Sequence, residues 1–221
     1  MARLRGAALA TAIAFALLVG LGVWQLQRLA WKDGILAEIS DAEASPPVAL
    51  PANPSPFAKV AAAGTLHDVG LYALDVRDMP RGPVEGADRL GILDRPGAPP
   101  LLVDEGWVPE GTPAMPPRAA TVTGYVHAPN RPGPFTPSPD PATHHFYALD
   151  PASIGAALGI PGLAPYTLVA LGAVPPGVVP IPATTLPRPP NNHLSYAVTW
   201  FALAAGLLAV FATYARRSRN P

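Results

Sequence analysis

His193 lies in the segment NNHLSYAVTW, and the residues after it recur at helical spacing. His193, Tyr196, Ala197 and Trp200 fall at i, i+3, i+4 and i+7, which puts them on one helix face. Near the other end of the chain, Trp24, Arg28 and Trp31 also share a face, with Lys32 four residues after Arg28. An imidazole, aromatic walls and cations would together suit a flat, hydrophobic, anionic ligand. Haem is such a ligand: imidazole ligates iron, rings cover the macrocycle, and Arg or Lys meets the propionates. A haem site built from these residues would put His193 on the iron, Tyr196, Trp200 and Trp24 around the ring, and Arg28 or Lys32 on the propionates. From residue types alone, an interfacial aromatic belt with a helix-capping histidine accounts for the same pattern.

Other candidates carry less chemistry. His144 and His145 are adjacent, and on a strand their side chains would point to opposite faces. His67 and His127 sit in or beside strand-like runs and read as surface or satisfied polar groups. Asp104 and Glu105 in LLVDEGWVP are a possible acid–base pair, but as neighbours they point apart and read as a solvated strand end. There is no GxSxG elbow, phosphate-cradling glycine loop, HExxH or dinucleotide fingerprint. The absence of cysteine excludes disulfides, thiolate metal sites and Cys-x-x-Cys-His haem attachment.

Two apolar segments could position the two clusters. Residues 7–24 and 194–214 carry no charge and no proline. At about 1.5 Å per residue, even the shorter spans roughly 27 Å, the thickness of a bilayer core. Arg3 and Arg5 precede the first segment, and Arg216, Arg217 and Arg219 follow the second. Basic flanks stay on the cytoplasmic side, so both termini are expected there and the middle of the chain on the periplasmic side. The first segment also has the start of a signal peptide, but it runs into WQLQRLAWK without a small-residue cleavage site. His193 and Trp24–Lys32 then fall at the same, outer membrane surface.

All 15 acids lie between Asp33 and Asp150, and no basic patch there suggests nucleic acid. Nearly all of the 31 prolines fall between Pro46 and Pro190, which rules out long helices in that stretch. Strands are expected at 58–66, 71–76, 101–108, 121–127, 146–149 and 166–174. A short helix is expected from Pro151 to Leu158, capped by Asp150 and ended by Gly159. The expected fold is a membrane α+β protein, with two terminal transmembrane helices flanking a mainly antiparallel β domain or small barrel. Its boundaries are 7–24 for the first helix, 25–56 for a juxtamembrane segment and Pro-rich linker, 57–174 for the domain, 175–193 for a second linker and 194–214 for the second helix.

The stretches GVWQLQRLAWKDGILAEI, LLVDEGWVP and NNHLSYAVTWFALA occur in this order along nearly the whole chain. In these the sequence resembles the surfeit locus protein 1 family. The resemblance implies an assembly factor for a haem-copper terminal oxidase, chiefly cytochrome c oxidase. For a bacterial member it implies a haem a chaperone in the inner membrane, with haem a bound as cargo through the histidine of NNHL, here His193. Implied partners are the oxidase catalytic subunit, haem a synthase and membrane lipid, and no enzyme activity is expected. One departure is Asp104-Glu105 where the family usually has Asn-Arg, so an arginine contact there does not carry over. Two rival readings are a cofactor-free scaffold for an oxidase intermediate and a tethered hydrolase using His144 or His145 with a nearby acid.

Overall fold

A computed structural model describes residues 2–80, 82–139 and 144–219. Its elements in chain order are α1 (Ala2–Ala44), β1 (Val48–Ala49), β2 (Lys59–Met79), β3 (Gly82–Asp94), β4 (Leu101–Pro109), β5 (Arg118–His127), β6 (His145–Phe146), α2 (Pro151–Leu158), β7 (Thr167–Ala170) and α3 (His193–Arg219). They form two compact units: residues 1–39 with 188–221, and residues 40–187.

The first unit is a pair of long helices, both long and apolar enough to cross a membrane. Of the basic flanks, the side chains of Arg3 and Arg219 lie outside the described ones. α1 does not stop at Trp24. It continues through a run of Leu, Ala, Gln, Lys and Glu, all good helix formers, and ends only before Pro46 and Pro47. Part of the expected juxtamembrane linker is therefore helix. The 43 residues of α1 span about 64 Å, roughly twice a bilayer core.

Small residues let the two helices meet. Gly22 on α1 and Ala197 and Ala204 on α3 are buried. A Cβ on Gly22 would stand 2.6 Å from Phe201 Cε1, so a larger residue there has to displace that ring. Asp33 meets Asn191 while Gly22 meets Phe201, so the helices run antiparallel.

The second unit is a closed barrel. Its ladder runs β2-β3-β4-β7-β5, and a further β2–β5 pairing joins the ends. Closure removes the free edges that an open sheet would expose. The sheet is mixed. β2–β3, β3–β4, β2–β5 and β5–β7 are antiparallel, whereas β1–β2, β2–β6 and β4–β7 are parallel. The expected strands at 58–66 and 71–76 are one long strand, β2. Its first half pairs with β5 and its second with β3, with irregularities between Asp68 and Gly70 and between Tyr72 and Asp75. Val60, Leu66, Leu93, Leu101, Val103 and Leu168 fill the core. α2 forms as its caps require: Asp150 accepts from Ser153 N at 3.2 Å, and Gly159 is left-handed at φ 68°.

Both proline-rich linkers are partly held on the barrel. Val48 and Ala49 pair with Val60 and Ala61. Trp107 and Ile181 exchange backbone hydrogen bonds of 2.9 and 2.8 Å, and Ala183 N donates to Ala170 O at 3.1 Å. The order Pro180-Ile181-Pro182-Ala183 explains this. Alternate residues of an extended chain point the same way, so the two available N–H groups face the sheet and the prolines do not. Gly106, at φ 107°, makes room: a Cβ there would run into the carbonyl of Ile181.

Candidate functional site

The helix pair holds the most specific polar contact around His193. His193 Nδ1 lies 2.7 Å from Oε1 of Gln25, across from α3 to α1. Gln25 is 9% exposed. Asn191 Nδ2 donates to Asp33 Oδ1 at 2.8 Å, tying the start of α3 to α1. The Asn192 carbonyl accepts from Ser195 Oγ at 2.8 Å and begins the helix.

The expected ligand residues divide around this contact. Trp200 and Lys32 are half-buried on the sides of their helices nearest the seam. Tyr196 and Trp24 are 54% and 50% exposed. Trp24 precedes Gln25 by one residue, which turns it about 100° round the helix. Arg28 stacks over Trp31 with its guanidinium 4.2 Å from the ring centroid, a cation–π contact on the exposed side of α1. His193 thus meets Gln25, while the aromatic and cationic groups stand to either side. Attention to aromatic and charged types passed over Gln25. The available signal was its place in the Gly22, Gln25, Leu29, Lys32 stripe, an amide one turn from a glycine.

In the barrel, Asp104 and Glu105 are buried within β4, not at a solvated strand end. They do point apart. Asp104 Oδ1 accepts from Gly106 N at 2.9 Å and faces Asp88 and Tyr125. Glu105 is ion-paired with Arg118, and Arg89 lies nearby. Glu105 falls at an irregularity of the β3–β4 ladder, where Arg89 pairs with Gly106 and Leu90 with Asp104. Burial pushes the Asp104 carboxyl up to about 7, helped by the negative charge of Asp88. Burial also raises Glu105, against the pull of Arg118. On the Glu105 side, Arg89 bridges Asp68 at 3.3 Å and donates to the carbonyls of Thr112 and Pro113 at 3.1 and 2.9 Å. Buried charges need pairing, and among the described residues Arg89 Nε and Glu105 Oε1 remain buried without a hydrogen-bond partner.

The remaining histidines are dispersed. His67 Nε2 lies 3.1 Å from Asp94 on the barrel surface. His127 is held below its usual range by burial. His145 stacks on Tyr147 at 5.7 Å, and His144 is exposed beside it. His144 and Asp68 line one cleft of about 260 Å³. Asp68 Oδ2 is already engaged there by Arg89 and by Met115 N at 2.9 Å, so that oxygen is committed to structure. Among the described residues, no three metal-ligating side chains converge.

A family profile described as the SURF1 family matches residues 12–205. The chain is 29% identical to a SURF1-like protein of Monosiga brevicollis, over 91% of this chain and 84% of that protein. It is 30% identical to Surfeit locus protein 1 of Homo sapiens, over 84% and 70%. It is 26% identical to a SURF1-like protein of Rickettsia felis, over 92% and 94%.

Proposed function

The chain belongs to the SURF1 family, and from this premise we propose that it is an assembly factor for a haem-copper terminal oxidase, binding haem a and delivering it to the catalytic subunit. The observation that carries the reading is His193, half-buried on a helix long enough to cross a membrane and fixed by Gln25 across the helix pair. A held neutral imidazole is a good iron ligand. Trp200, on the same helix face as His193, would cover one face of the macrocycle. Lys32 and Arg28 are the cations for the propionates, Arg28 by leaving Trp31. Tyr196 and Trp24 complete the wall by closing over a bound ring. Delivery requires only that the empty catalytic subunit hold the cargo more tightly than this chain does. No bond in the cargo changes, so the role is not enzymatic. The proposed setting is a bacterial inner membrane, with both termini cytoplasmic and the barrel periplasmic, near haem a synthase and lipid.

The test is the visible spectrum of detergent-solubilised protein coexpressed with haem a synthesis. His193→Ala is expected to lose most of the haem band while remaining in the membrane at normal level. An unchanged band would remove His193 from the site. The cofactor-free scaffold is the second reading. It is favoured by the exposure of Trp24 and Tyr196 and by the Arg28–Trp31 stack, which would then be anchors for a partner subunit.

A further inference from the structure

We propose that Gln25 is a positioning residue for His193: it holds the Nδ1–H tautomer, so that Nε2 is the nitrogen offered to a metal. The second half rests on the haem reading; the first does not. The Oε1 atom of Gln25 is 2.7 Å from His193 Nδ1, and a carbonyl oxygen can only accept. Nδ1 therefore carries the proton. A neutral imidazole has only one, which leaves the Nε2 lone pair free. Because Gln25 is nine-tenths buried, water competes poorly for this bond. Gly22, one turn earlier, allows the helices to close until Phe201 meets its backbone, and this closeness brings an amide within reach of a ring on α3.

The choice of an amide has a consequence. A partner on the second ring nitrogen orients a metal-ligating histidine and raises its basicity. A carboxylate would do so strongly, since a charged acceptor makes roughly twice as strong a bond. The neutral carbonyl of Gln25 orients the ring while leaving it a moderate ligand. That suits a carrier whose cargo must leave.

The experiment uses the full chain in lipid nanodiscs with ¹⁵N-labelled histidine. Nitrogen shifts of the haem-free protein report the tautomer, and His193→Ala assigns the resonance. The wild type is expected to show Nδ1–H and an unprotonated Nε2, and Gln25→Met to lose that preference. In haem a titration, Gln25→Met is expected to weaken binding roughly 10- to 100-fold. Gln25→Glu, which keeps the acceptor, is expected to bind at least as tightly as wild type and to release haem more slowly. An Nε2–H tautomer in the wild type overturns the proposal, and so does a Gln25→Met protein with unchanged tautomer and affinity. Should Gln25→Met fail to fold, the wild-type tautomer and the Gln25→Glu release rate still decide. If the tautomer is as expected and wild type binds no haem a, the haem reading fails and the positioning role stands.

Discussion

At the residue scale, the barrel contains a carboxyl group whose ionisation opposes folding. Asp104 titrates near 7 in the folded chain against an ordinary value of 3.8. The folded state thus holds this proton more tightly than the unfolded state. The resulting stabilisation is complete below about pH 4, declines as pH rises toward 7 and is gone above it. Raised values at Asp88 and Glu105 act in the same sense, while the lowered His127 acts in the opposite sense. Comparison with Asp104→Asn isolates the one group, because the amide oxygen can still accept from Gly106 N. Thermal melts from about pH 4 to pH 8 should show the variant gaining on the wild type by up to about 1.4 kcal/mol per pH unit through this window. A constant offset between the two proteins would show that Asp104 does not titrate there.

At the element scale, the helix pair depends on Gly22. Gly22→Leu puts a side chain into Phe201 and should force the seam open, separating Gln25 from His193. Because the chain has no cysteine, paired cysteines placed on α1 and α3 give a clean crosslinking readout. Crosslinking should fall several-fold in Gly22→Leu and recover in Gly22→Leu with Phe201→Ala, as expected when overpacking is relieved. Unaltered crosslinking in the single variant would place the helix contact elsewhere. Both long helices were legible in the sequence, because an uncharged run without proline has few other structures open to it. The α2 caps were legible for a similar reason: Asp150, Pro151 and Gly159 each act locally. β3 was not, because GPVEGADRLGILD alternates weakly and is interrupted by glycines and charges. Nor was the burial of Asp104 and Glu105, which depends on β3 and β7 flanking β4. The bonding of Ile181 and Ala183 to the barrel was hidden among prolines that usually mark a tether. For the site, helical spacing did gather His193 and Trp200, but Gln25 is a cross-helix partner 168 residues away, beyond the reach of any local pattern.

At the scale of the whole molecule, the chain joins two units with different work to do. The barrel is closed, and its buried charges are paired through Arg118–Glu105 and Arg89–Asp68. Its clefts bring together no set of ligating side chains among the described residues. The helix pair has the reverse character, with a held histidine, an exposed Trp24 and Tyr196, and a stacked Arg28. The proposed haem chemistry is placed on the helices because His193 is held there by Gln25. The most direct test of this account is the haem a content and bound partner of the native protein, solubilised in mild detergent from a membrane that makes haem a. The account predicts a coloured protein carrying haem a together with the oxidase catalytic subunit. A colourless protein that still brings the catalytic subunit with it would contradict the carrier role and leave a scaffold in its place.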